Sequence, residues 1–111
     1  MYEKDRTIFD FPISGFRFYD GIDVIDELQL GAPVTLKAEP DNPHNPDAVV
    51  IYFGETKLGY VPSGDGYLGQ QLYFGHGDIF EVKINYRNLE ENPERQFRIV
   101  VKLKDNRTGG N

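Results

Sequence analysis

Residues 37–62 read KAEPDNPHNPDAVVIYFGETKLGYVP, and the reading of this stretch decides the fold. Three prolines, Pro40, Pro43 and Pro46, and four Asn or Asp residues, Asp41, Asn42, Asn45 and Asp47, stand between two apolar runs. Proline fixes φ and removes an amide donor, while Asn and Asp favour turns, so a rigid turn with outward-pointing polar side chains is expected. Before it, Val34, Leu36 and Ala38 alternate with Thr35, Lys37 and Glu39, the period of a half-buried strand. After it, residues 48–53 are apolar throughout, as in a strand covered on both sides. Gly54-Glu55-Thr56 then joins that strand to residues 57–61 in a tight hairpin.

Residues 79–88 and 96–104 form a second, longer hairpin. Phe80, Val82, Ile84 and Tyr86 face one way on the first strand, and Phe97, Ile99, Val101 and Leu103 on its partner. The outward set, Lys83, Arg87, Arg98, Lys102 and Lys104 with Glu81 as counterweight, gives this hairpin the densest basic character of the chain. Residues 8–15 read as a first strand in which Pro12 marks an edge position. Ile22, Ile25 and Leu28, spaced by three, predict a short helix over residues 22–30 that stops near Gly31. A second short helix is expected over residues 67–74, ended by Gly75-His76-Gly77. The fold class that follows is mainly β: a small OB-like or SH3-like barrel of about six strands with two short helices. It divides into an N-terminal extension (1–10), the barrel domain (11–104) and a flexible tail (105–111).

Composition narrows the function classes. With 111 residues and 39% hydrophobic content the chain can bury one core. It has no cysteine, which removes disulfides, thiolate metal sites and cysteine nucleophiles. No long apolar run suggests a leader or a membrane span, so a cytoplasmic protein without membrane partners is expected. The formal charge of −6 argues against a broadly basic, nucleic-acid-coating surface. That charge is uneven. Residues 1–47 set Lys4, Arg6, Arg17 and Lys37 against ten acids, about −6, whereas residues 48–111 balance eight bases with eight acids. Any anion-binding face is therefore local.

Several chemical motifs dissolve on inspection. Gly64-Asp65-Gly66-Tyr67-Leu68-Gly69 matches GxGxxG, but the alternating strands and helices of a dinucleotide-binding sheet are missing, so turn glycines explain it. His44 and His76 lie near Asp41, Asn45, Asp47 and Asp78, yet no metal-ligand spacing connects them, so no metal site or cofactor is expected. Asp20, Asp23, Asp26 and Glu27 read as a solvated face at the start of a short helix. No nucleophile motif is present, and a hydrolase built on Asp47 and His44 is the least supported reading. Aromatics at strand ends and turns, among them Phe16, Phe18, Tyr19, Tyr52, Tyr60, Tyr67, Tyr73 and Tyr86, suit either core filling or stacking on unpaired bases.

Ile13-Ser14-Gly15-Phe16-Arg17-Phe18-Tyr19, the turn Glu39-Pro40-Asp41-Asn42-Pro43-His44-Asn45-Pro46-Asp47-Ala48-Val49 and Lys57-Leu58-Gly59-Tyr60-Val61-Pro62 together resemble the HIRAN domain, in a stand-alone, bacterial-type form. The resemblance runs over residues 11–104. It implies an OB-like barrel without catalysis of its own. From the fork-remodelling translocases that carry the domain, it also implies capture of the 3′ end of single-stranded DNA, in the setting of DNA repair. Carried over by position, Arg17 meets a phosphate, Phe18 and Tyr19 line the base pocket, His44 and Asn45 lie where the 3′ hydroxyl is read, and Tyr60 and Tyr86 complete the walls. A helicase, nuclease or other DNA-processing protein is the implied companion.

The chain departs from the translocase pattern at three places: His44-Asn45 replaces tyrosine-aspartate, Tyr60 replaces a histidine and Ser63 a lysine. Asn45 still accepts from and donates to a hydroxyl and Tyr60 still stacks, but the Ser63 change removes one phosphate contact. These departures and the sequence pI of about 4.8 motivate the alternative, a protein-protein interaction module on the same barrel that has lost DNA-end binding.

Overall fold

The computed structural model describes residues 7–62 and 80–103. The expected helix over 67–74, the GxGxxG run, Ser63, His76 and Lys104 lie outside the described residues. Six strands are described: β1 (Thr7–Pro12), β2 (Thr35–Ala38), β3 (Val49–Phe53), β4 (Thr56–Tyr60), β5 (Phe80–Arg87) and β6 (Phe97–Leu103). They form two antiparallel sheets of three strands, ordered β1-β6-β5 and β2-β3-β4. β1 begins at Thr7, inside the stretch expected to be an extension, and Pro12 ends it on an edge of its sheet.

The two sheets meet through two isolated bridges, Ser14 with Tyr60 and Pro33 with Lys83. At the first, Ser14 N donates to Tyr60 O at 2.8 Å and Tyr60 N donates back to Ser14 O at 2.9 Å. Gly59 makes that approach possible. Its φ is +152°, and a Cβ there would lie 2.5 Å from Ser14 O. At the second, Val34 N donates to Val82 O and Ile84 N to Ala32 O. The core between the sheets contains Ile13, Leu28, Ile51, Leu58, Ile84, Phe97 and Ile99, all essentially inaccessible. Val49, Val50 and Ile51 are buried in succession, as their unbroken apolar run implies.

Two expectations are corrected by local geometry. The helix over 22–30 is instead a 3₁₀ segment, Asp20–Glu27, interrupted at Val24 (φ −120°, ψ 16°). A spacing of three suits 3₁₀ winding, but the kink turns Ile22 out to solvent while Leu28 stays buried. In β5 the alternation fails after Ile84, where Asn85 is an extra residue opposite the Ile99-to-Arg98 step of β6. This bulge reverses the two following side chains. Tyr86 pairs with Arg98 and is exposed, whereas Arg87 pairs with buried Phe97 and donates to the carbonyls of Leu28 (2.9 Å) and Ile25 (3.2 Å).

The basic hairpin face is correspondingly less available than its composition suggests. Lys83 pairs with Glu81 at 2.9 Å, Arg98 with Asp10 at 2.8 Å, and Arg87 is turned to backbone carbonyls.

Candidate functional site

The turn between β2 and β3 is held by its own polar groups. Glu39 N donates to Ala48 O across its base, and Ala48 N donates to Asn45 O. Asn42 Oδ1 accepts from His44 N (2.8 Å) and Asn45 N (3.0 Å), while Asn45 Oδ1 accepts from Asp47 N (2.9 Å). Both carboxamide oxygens thus turn back on the chain, contrary to the outward display expected from composition. The prolines and these bonds specify one conformation, in which His44 is exposed and Asn45 half-buried.

Side chains from three elements converge beside this turn. Tyr60, at the end of β4, donates its hydroxyl to Glu39 Oε1 at 2.7 Å and accepts from Lys57 Nζ at 2.9 Å. Asn42 Nδ2 donates to the same Glu39 oxygen at 2.8 Å. Tyr19 meets Tyr60 edge to face, with ring centroids 5.8 Å apart. Lys57 Nζ lies 4.5 Å from the centroid of each ring.

These contacts perturb the titrating groups. The hydrogen bonds from Asn42 and then Tyr60, with Lys57 nearby, hold the Glu39 carboxyl below its ordinary value. The bond to Tyr60 and the charges that Tyr60, Tyr19 and Glu39 carry or develop raise Lys57. Tyr60 is raised chiefly by partial burial, with Glu39 adding to the effect.

Arg17 and Phe18 project from the 3₁₀ turn Phe16–Phe18, exposed, with the Arg17 guanidinium 4.9 Å from the Phe18 ring centroid. Phe16 anchors this turn by packing against Phe97 (5.1 Å), and Gly15 N donates to Glu94 Oε1 at 3.1 Å. The sequence-expected residues therefore divide. Tyr19 and Tyr60 touch, Arg17 and Phe18 flank Tyr19 in sequence, and Asn45 joins the group through Asn42 and Glu39. Tyr86 lies apart, lining a hollow of about 500 Å³ with Ser14, Pro62, Arg95 and Arg98. Ser14 is the link between them, since its backbone pairs with Tyr60.

Glu39, Asn42 and Lys57 are site members that sequence reasoning did not single out. Strict alternation places Lys57 and Tyr60 on opposite faces of β4. An extra residue, Leu58, between the Ile51–Gly59 and Tyr52–Lys57 pairs restores them to one face. The glycine next to Leu58 is the only signal of that bulge. Among the described residues, no three His, Asp or Glu side chains cluster as metal ligands, and no helix is long and apolar enough to cross a membrane.

A model of the HIRAN domain matches residues 7–104. The chain belongs to the HIRAN family. HIRAN domains are known generally as DNA-binding modules that are not catalytic by themselves. A Fanconi-associated nuclease 1 homolog from Oryza sativa subsp. japonica is 44% identical over 63 residues, covering 53% of this chain and 6% of the nuclease homolog. The chain therefore spans only a small part of that relative. The crystal structure of the HIRAN domain of human HLTF superposes with a TM-score of 0.57 at 14% identity, over 88% of this chain and 76% of that one. A Lactobacillus plantarum protein superposes with the same TM-score at 18% identity, over 89% and 97%. At these identities the likeness is one of fold alone.

Proposed function

We propose that this HIRAN domain binds single-stranded DNA at its 3′ end and leaves chemistry to an associated DNA-processing protein such as a helicase or nuclease. The observation that carries the proposal is the convergence of Tyr19, Tyr60 and Lys57 beside exposed Arg17. It supplies aromatic surface and positive charge at one place on an otherwise acidic chain. In this reading His44 and Asn45 of the rigid turn read the 3′ hydroxyl, and Tyr86 contributes from the separate hollow beside Ser14. The paired bridges support a reading of the two sheets as one OB-like barrel, with this site at the β1–β4 seam. Fluorescence anisotropy with short single strands carrying a free or blocked 3′ hydroxyl tests the proposal. Binding that weakens on blocking the end is expected; no binding at high micromolar protein, or indifference to the block, would remove it.

A second reading has its own observation. Ile22 and Leu30 are exposed near the carboxylates of Asp20, Asp23, Asp26 and Glu27, a surface suited to a protein partner. A companion protein retained in pull-downs after nuclease treatment favours that reading, and one released by nuclease favours DNA.

A further inference from the structure

Tyrosines in a single-strand site are ordinarily read as stacking platforms for bases. Here the Lys57 ammonium lies 4.5 Å from both the Tyr19 and Tyr60 centroids and 2.9 Å from the Tyr60 hydroxyl, so it occupies the space between the two rings at the hydroxyl edge of Tyr60, and a base entering there would have to displace it. The two rings are inclined by 62°, which lets one cation meet both. An ammonium has three donors, and Lys57 uses one on the Tyr60 hydroxyl. Glu39 is engaged by Tyr60 and Asn42 and makes no ion pair with Lys57, so among the described residues the charge is oriented without being directly neutralised.

We infer that Tyr19 and Tyr60 form a cradle for Lys57, and that Lys57 contacts a DNA phosphate with its remaining donors. The inference rests on the DNA-binding reading above and deepens it. It moves the two tyrosines from base stacking to cation positioning, and it supplies from β4 a positive group of the kind lost at Ser63.

Salt-dependent anisotropy with a 5′-labelled single-stranded oligothymidine separates the two roles. Lys57→Met keeps an apolar stem over the rings and removes the charge; its folding is checked by its urea midpoint. Severalfold weaker binding is expected, with the slope of log K against log salt shallower by about 0.7, the share of one phosphate on a single strand. Lys57→Arg should recover most of the affinity. Equal or tighter binding by Lys57→Met with an unchanged slope would overturn the inference, because the ammonium would then make no phosphate contact. A readout on the wild-type protein needs no variant. Nuclear Overhauser contacts between the Lys57 ε-methylene and the Tyr19 and Tyr60 ring protons should persist when oligothymidine binds, and losing them would mean that a base has displaced the lysine. Failure of the wild-type protein to bind any oligonucleotide would instead remove the DNA reading itself, and this inference with it.

Discussion

The Tyr60 hydroxyl donates a 2.7 Å hydrogen bond to Glu39, tying the last residue of β4 to the first residue of the proline-rich turn. The same oxygen accepts from Lys57, so one phenol holds the turn, the strand end and the lysine in fixed relation. Replacing it tests whether the cluster is a unit. Tyr60→Phe keeps the ring but removes both bonds. A loss of about 1 kcal/mol is expected from urea unfolding. Lys57→Met should add little further loss when combined with Tyr60→Phe, since its bond partner is already gone.

Glu39 makes the cluster sensitive to acid. Its carboxyl is held below the ordinary value by Asn42 and Tyr60, so the unfolded chain binds the proton more readily than the folded one. The stabilisation is therefore present above the unfolded-state value of about 4.3 and fades as pH falls through the lower folded-state value. Urea midpoints for wild type and Glu39→Gln should differ most at neutral pH and converge in acid. A gap that stays unchanged as the pH is lowered through the acid range would contradict this.

Gly59 tests the seam between the sheets. With φ at +152° and Ser14 O where a Cβ would stand, Gly59→Ala should introduce about 1–3 kcal/mol of backbone strain besides the steric conflict. The Ser14 and Tyr60 amides should lose hydrogen-exchange protection more than those of the β5–β6 pair. Uniform loss across both sheets would show that the seam has no separate stability.

Arg17 and Arg87 should behave in opposite ways. Arg17 is exposed and among the described residues makes no side-chain hydrogen bond or ion pair, its guanidinium lying beside the Phe18 ring, so Arg17→Ala should shift stability by less than about 0.5 kcal/mol while weakening oligonucleotide binding. Arg87 donates to two backbone carbonyls, and Arg87→Met should cost about 1–3 kcal/mol with binding unchanged once folding is matched. Paired urea and anisotropy measurements distinguish the two.

Much of this was legible in the chain. The run of apolar residues from Val49 to Ile51 and the alternation of Val34 and Leu36 placed β2 and β3, and the prolines with Asn and Asp placed the rigid turn between them, though not the inward bonding of Asn42 and Asn45. What was not legible has a common cause. Single extra residues, Leu58 in β4 and Asn85 in β5, shift the two-residue period by one, and apart from Gly59 beside Leu58 nothing in the sequence marks them as bulges. One bulge brought Lys57 onto the Tyr60 face. The other exchanged the expected orientations of Tyr86 and Arg87. The 3₁₀ winding of Asp20–Glu27 escaped for a related reason, since apolar residues three apart fit both helix types until the kink at Val24 decides between them.

Amide NMR of the uniformly labelled protein, titrated with a single-stranded oligonucleotide bearing a free 3′ hydroxyl, tests the proposed site most directly. The expected result is saturable shifts concentrated at Arg17, Phe18, Tyr19, His44, Asn45, Lys57 and Tyr60, reduced when the 3′ end is blocked. Shifts absent from this cluster, or centred instead on the Lys83 and Lys102 face of the β5–β6 pair, would contradict it.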